Sequence, residues 1–232
     1  MPSIVGVVPA RWDSRRWPGK ALALVNGRPL IEWAYDSLIR AEYIERAFIA
    51  TDHSRIREWA VTHGIPCIMT SAECRNGTER VSEAARSVPA DFYINVQADQ
   101  VGLEPETIDT LVNTIVTNGE IPMATVATTV ECEGDRLDRD TVFVATDEFD
   151  VATAFVRGGD SILGVGEWLR HVGIYAYRYH ALRKYTAMEP TSGERSNSLE
   201  QLRSLEAGWK IGVVRTASRA LSYDRPRGAS TR

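Results

Sequence analysis

The 232 residues, 44% hydrophobic and 25% charged, suit one sizeable α/β domain. A formal net charge of -4 argues against a nucleic-acid coat and a general membrane-surface role. No apolar run approaches the roughly 18–20 residues needed to span a bilayer. The opening MPSIVGVVPA has no basic segment ahead of its apolar stretch, so it reads as a first strand and not as a signal peptide. Cys67, Cys74 and Cys132 are an odd number without metal-ligand spacing and read as reduced thiols in a cytoplasmic protein.

IVGVVPA is a continuous apolar run, the pattern of a buried parallel strand. An Asn26-Gly27 turn follows, then PLIEWAYDSLIRAEY with helical spacing and Pro29 at its start. RAFIATD, PCIMT and DFYINVQAD read as the next strands. SRIREWAVTHG, TERVSEAARSV and EPETIDTLVNTIVTN read as the helices between and after them. This alternation to about residue 120 predicts a mainly parallel sheet flanked by helices on both faces. Beyond it MATVATTV, TVFVATD, VATAFVR and RHVGIYAYRY look like strands with few helices between them, before a helix SLEQLRSLEAG and a last strand WKIGVVR. A mixed second half that extends the sheet and forms an acceptor-side lobe is expected, and the terminal RPRGASTR is expected to fray.

Four cations, Arg11, Arg15, Arg16 and Lys20, fall within ten positions directly behind the first strand. In open α/β sheets that edge is where ligands bind. Pro9 and Pro18 stiffen the loop, Gly19 permits close backbone approach, and arginine forks with a lysine suit phosphate oxygens. A solvated turn is the plainer reading of the charge run. Neither of two common nucleotide loops is present: the Walker pattern fails at Ser14, and no G-x-G-x-x-G follows the strand.

RNGTERV (75–81) sets Thr78 and backbone N–H groups at a strand-to-helix junction, a place for a base or phosphate or simply a capped helix start. NVQADQ (95–100) ends a buried strand with Gln97 and Asp99. A carboxylate there is a candidate Mg²⁺ ligand or a loop cap, and Asp224 offers a second carboxylate or a turn residue. The nearest Asp-x-Asp, Asp138-Arg139-Asp140, lies ahead of a strand, which speaks against a sugar-nucleotide glycosyltransferase.

P-A-R-x-x-S-x-R-x-P-G-K, ATDH (50–53), N-G-T-E-R, N-V-Q-x-D, R-H-V-G-I-Y-A-Y-R (170–178) and L-E-Q-L-R (199–203) occur in this order. Together they resemble the CMP-Kdo synthetases, the 3-deoxy-manno-octulosonate cytidylyltransferases, from about residue 4 to 224. The resemblance implies a Rossmann-like nucleotidyltransferase fold in a single domain, CTP as nucleotide, Mg²⁺ and a homodimer. Residues 1–120 would form the CTP half, and 121–232 the acceptor and dimerisation half. It implies that Ala10, Arg11, Ser14, Arg16 and Lys20 line the CTP phosphates. Asn76, Thr78, Arg80 and Gln97 would lie along the cytidine. Asp99 and Asp224 would hold Mg²⁺, with Arg11, Lys20 and Asp99 the catalytic group. Arg157, His171, Tyr175, Glu200 and Gln201 would face the acceptor. Taken singly, Tyr175 and His171 also fit a core, and Glu200 an exposed helix.

The chain departs from the family where N-V-Q-G-D-E-P becomes N-V-Q-A-D-Q-V, leaving Gln100 in place of an acid and Ala98 in place of glycine. A Pro-Trp-Asp stretch is missing, with only GGDSILGVGEWL (158–169) in the gap, and the segment before LEQLR reads PTSGERSNS. These changes cluster on the acceptor side. They leave open a small phosphonate of the phosphonoformate type as acceptor, and a non-catalytic nucleotide sensor as an alternative of another class.

Overall fold

The computed structural model describes residues 2–14, 17–130, 137–158, 167–218 and 220–223. Strand β1 (Ile4–Ala10) is buried at every position, as its unbroken apolar run requires. A 3₁₀ turn (Lys20–Leu22) and a small hairpin, β2 (Leu24–Val25) and β3 (Arg28–Pro29), lead into helix α1 (Leu30–Ile39). The hairpin turns on Asn26 and Gly27, both at positive φ. Helix α1 buries Leu30, Ile31, Ala34 and Leu38, a stripe at helical spacing. Leu38 lies so close to β1 that a Cβ on Gly6 would meet its Cδ2 at 2.7 Å.

The alternation continues through β4 (Arg46–Thr51), α2 (Ser54–Thr62), β5 (Cys67–Met69), α3 (Gly77–Ala84), β6 (Phe92–Val96), β7 (Gln100–Val101) and α4 (Pro105–Thr117). Then come β8 (Met123–Thr128), β9 (Val142–Thr146), β10 (Ala152–Arg157) and β11 (Leu169–Arg178). The chain closes with α5 (Tyr179–Ala187), α6 (Ser192–Asn197), α7 (Gln201–Glu206), β12 (Ile211–Thr216) and β13 (Leu221–Ser222). Each early helix start has a local cause. His53 Nδ1 accepts from Arg55 N at 3.2 Å ahead of α2, Asn76 Oδ1 accepts from Glu79 N at 2.9 Å ahead of α3, and Pro105 opens α4.

Among the described residues nine strands make one sheet, with β6, β1, β4 and β5 parallel in that order. Strand β11 runs antiparallel beside β6 and carries β8 along its other edge, and β12 lies parallel to β8. The β9–β10 pair attaches to the first residues of β11. The expected mixed second half therefore continues the same sheet. Two buried clusters flank it, one built around Ile31, Leu38, Ile94 and Ile108, the other around Val7, Val81, Tyr93 and Tyr177. A fully buried Leu or Ile contributes about 1.5–3 kcal/mol, so these two layers fix the sheet that presents the loops.

Several elements escape the sequence pattern. YHALRKYTA forms α5, and SGERSN forms α6. The expected helix over 198–208 is shorter because Ser198 sits at φ 52 and ψ 47, a left-handed turn that separates α6 from α7. β7 and β13 pair antiparallel, a contact between distant segments that no local pattern reveals. Cys67 and Cys74 are free thiols, while Cys132 and the terminal RPRGASTR lie outside the described residues. None of the helices among the described residues is long and apolar enough to cross a membrane.

Candidate active site

The carboxyl ends of β1, β4, β5 and β6 carry the polar motifs to one edge of the sheet. Ala10 ends β1, buried and paired with Thr51. Arg11 follows it, exposed. The loop then closes on Trp12, whose carbonyl accepts from Ser14 N at 2.9 Å and Gly19 N at 2.8 Å. The Trp12 ring stacks on His53 with centroids 4.7 Å apart, and Arg55 lies over its face at 4.9 Å. Gly19 is required twice: its φ is +72, and a Cβ would press on the Trp12 ring at 3.2 Å. Arg16 lies outside the described residues.

Lys20 leaves this loop and donates from Nζ to Asp99 Oδ2 at 2.6 Å. Gln100 Nε2 donates to the other oxygen, Oδ1, at 3.3 Å. Gln100 is buried against Gly173, where a Cβ would stand 2.8 Å from Gln100 Nε2 and 3.3 Å from Gln97 Cγ. Strand β11 changes register between Val172 and Tyr175, and Gly173 O accepts from Gln97 N at 3.0 Å. That bulge seats β11 on the loop carrying Gln97 and Asp99. Tyr223 N donates to Asp99 O at 3.2 Å, returning the chain to Asp99 one residue before Asp224, which lies outside the described residues. Asp99 offers one carboxylate, a hard oxygen donor of the kind Mg²⁺ takes, and no group of three or more His, Cys, Asp or Glu side chains gathers as a metal site among the described residues.

A second constellation sits where α3 begins. Glu200 Oε1 accepts from Thr78 Oγ1 at 3.1 Å and Gln97 Nε2 at 3.3 Å, and Oε2 accepts from Thr78 N at 3.3 Å. Thr78 Oγ1 also meets Tyr177 Oη at 3.0 Å and Asn95 Nδ2 at 3.4 Å. Burial raises the Glu200 carboxyl to about 7, with Thr78's hydrogen bonds pulling the other way. Asn76, besides capping α3, donates from Nδ2 to Tyr185 Oη at 2.9 Å. Tyr175 Oη donates to Gln201 Oε1 at 3.3 Å, and the His171 ring lies 5.4 Å from the Tyr175 ring. His171 Nε2 pairs with Thr125 Oγ1 at 2.8 Å, and desolvation lowers its pKa to about 3, so the imidazole is neutral near pH 7. Thr125 Oγ1 also donates to Ile174 O at 2.7 Å, which makes Nε2 the protonated ring nitrogen.

The fold thus joins Lys20 with Asp99, and Thr78 with Gln97 and Glu200. Two candidates are held by neighbouring protein groups. Arg80 is buried and gives its guanidinium to Asp52 Oδ2 at 2.7 Å and to Thr70 Oγ1. Arg157 spans the carbonyls of Asp140, Asn197 and Ser198 at 3.3, 2.9 and 3.0 Å. Asp138 caps a turn through Asp140 N at 3.0 Å and Thr141 Oγ1 at 2.8 Å, so the first carboxylate of the Asp-x-Asp pair is spent locally. Trp12, His53, Tyr177, Tyr185 and Arg203 also belong to this edge. For Arg203 the signal was its place at the end of LEQLR; for Trp12 none stands out.

The model of the cytidylyltransferase family matches residues 5–211. The chain belongs to the cytidylyltransferase family. It is accordingly a CTP-using nucleotidyltransferase, so the enzymatic reading prevails over the sensor and the glycosyltransferase. It is 38% identical to the 3-deoxy-manno-octulosonate cytidylyltransferase of Trichlorobacter lovleyi, over 96% of this chain and 94% of that one. It is 39% identical to the enzyme of the same name from Nitratidesulfovibrio vulgaris, over 95% of this chain and 91% of the other. Among solved structures it superposes on a CMP:2-keto-3-deoxy-manno-octonic acid synthetase complexed with CTP. The TM-score is 0.88 at 31% identity, covering 97% of this chain and 94% of that one.

Proposed function

We propose that this enzyme transfers cytidylyl from CTP to 3-deoxy-manno-octulosonate, or a closely related ulosonic acid, releasing pyrophosphate. The reaction is attack by an acceptor oxygen on the α-phosphorus, and the protein's part is alignment and charge neutralisation. Arg11, Lys20 and the backbone behind Ala10, with Ser14 and Arg16, meet the triphosphate. Asn76, Thr78 and Gln97 lie toward the cytidine, with Arg80 bracing that junction from behind. Asp99, with Asp224, would hold Mg²⁺, which when bound supplies positive charge to the phosphates. Lys20 would then leave Asp99 for a phosphate oxygen, an exchange of one cation for another at the same carboxylate.

The observation that carries the acceptor is Glu200. A carboxylate only accepts hydrogen bonds, so a partly buried one welcomes sugar hydroxyls and repels a compact dianion. This favours a polyhydroxylated acid over a small phosphonate. His171, Tyr175 and Gln201 add neutral donors and acceptors, and Arg157 braces the turn that ends at Glu200. The second half, residues 121–232, is read as the half through which a homodimer forms, and the cytoplasm as its location. A panel of 3-deoxy-manno-octulosonate, its 8-amino analogue, sialic acid and phosphonoformate, each with CTP and Mg²⁺, tests the reading by pyrophosphate release. Turnover of the first two supports it; turnover of phosphonoformate alone overturns it.

A further inference from the structure

Among the described residues, Arg203 is the largest fully buried side chain. Its Nε and Nη2 fork onto Glu194 Oε2 and Oε1 at 2.7 and 2.6 Å, and Nη1 reaches Glu79 Oε1 at 3.2 Å. The guanidinium lies over the Tyr185 ring at 4.3 Å. Tyr185 Oη in turn donates to Glu200 O at 3.3 Å while accepting from Asn76 Nδ2. Enclosing an arginine costs solvation that its ion pairs return only in good geometry, so the site is poor value as a source of stability. What it does achieve is spatial. Thr78 and Glu79 in the first turn of α3, with Asn76 capping it, stand on the cytidine side, and Glu194, Tyr185 and Glu200 belong to the acceptor side.

Resting on the acceptor reading of Glu200 above, we infer that Arg203 is a positioning residue that locks the Glu200 turn to the first turn of α3 through Glu79, Glu194 and Tyr185, so that both substrates are held by one rigid unit. Arg203 touches neither substrate; it acts through these partners. Glu200 is faced by Tyr175 and Tyr177 from β11, Tyr185 from α5, Glu194 from α6, Thr78 from α3 and Gln97 after β6, with Arg203 from α7. Of the charged groups, Glu194 disfavours the carboxylate and Arg203 favours it. Acceptor hydroxyls need that carboxylate, so kcat/KM falls as pH drops through the Glu200 value. Removing the Arg203 charge moves this acidic limb to higher pH.

The test compares KM for CTP, KM for the acceptor and the pH profile in Tyr185→Phe, Arg203→Lys and Arg203→Gln. Tyr185→Phe deletes one hydroxyl that bridges both sides; both KM values should rise together, about fivefold, with the limb unmoved. Arg203→Lys keeps the charge and loses the fork, so both KM values rise and the limb stays near the parent's. Arg203→Gln raises both and shifts the limb upward. An unshifted limb in folded Arg203→Gln, or a KM change for one substrate alone in Tyr185→Phe, overturns the proposal. If Arg203→Gln does not fold, Tyr185→Phe decides. The parent is assayed first. Should it turn over no acceptor, the proposed function fails, and the lock is then judged by calorimetric CTP binding, expected about fivefold weaker in Tyr185→Phe; unchanged binding overturns it.

Discussion

The edge around Lys20 and the polar cluster around Glu200 solve opposite problems with the same sheet. The first is open. Arg11 is exposed, and among the described residues the loop closes through backbone bonds from Ser14 N and Gly19 N to Trp12 O. The second is closed, with Thr78, Asn95, Tyr177 and Tyr185 spending their polar atoms on one another and on Glu200. A triphosphate brings its own charge and is recognised by long, adaptable cations. A polyhydroxy acid offers weak, directional groups and needs donors and acceptors fixed beforehand. The comparison therefore assigns electrostatics to one side and preorganisation to the other.

The sharpest way to break this division is to remove charge from the open side. Lys20→Ala or Asp99→Asn should lower turnover by about 10²-fold or more in a pyrophosphate-release assay, the scale of a lost electrostatic stabiliser. Near-normal turnover in either folded variant would reject the assignment.

On the closed side Glu200→Gln should cost about tenfold in kcat/KM for the acceptor and abolish the acidic limb near pH 7, while KM for CTP changes less. The same substitution should stabilise the fold at alkaline pH. Burial raises the folded value of Glu200 from 4.5 to about 7, so the carboxylate costs stability progressively as pH rises across that interval. Denaturant midpoints should show a gain for Glu200→Gln of about 1–3 kcal/mol above pH 7, fading as pH falls toward 4.5. No gain at high pH would mean that the carboxylate is well solvated.

Smaller effects separate the two regions by geometry. Gly77→Ala places a Cβ 2.6 Å from Gln97 Nε2 and must push that side chain off Glu200. Because the displaced atoms are the end of a flexible side chain, the thermal midpoint should report a change of about 1 kcal/mol or less, while the acceptor KM rises. Trp12→Ala removes the stack on His53 and should raise KM for CTP only, by about three- to tenfold, as the loss of one aromatic pair implies. A change in the acceptor KM instead would merge the regions that the comparison keeps apart.

The parallel half of the fold was legible because burial on both faces and one-sided helices write their periods into the chain, as in IVGVVPA and PLIEWAYDSLI. Helix α5 was not, because YHALRKYTA buries only Ala181, Leu182 and Tyr185, too thin a stripe to stand out beside the strand it follows. On the site, the motifs located Lys20, Thr78, Gln97, Asp99 and Glu200 at one edge. They did not disclose that Glu200 closes on Thr78 across 122 positions, since only tertiary packing sets that distance. Nor did they show that Arg80 turns inward to Asp52: a buried ion pair and a ligand contact use the same residue type.

The central claim is that the Lys20 loop and Asp99 receive a triphosphate and its divalent ion. The most direct measurement is a crystal structure with CTP and Mg²⁺. The ion is expected on Asp99, with Lys20 withdrawn from its 2.6 Å contact with that carboxylate onto a phosphate oxygen, and the ribose toward Thr78 and Gln97. Nucleotide bound at another edge of the sheet, with the Lys20–Asp99 pair still closed, would contradict it.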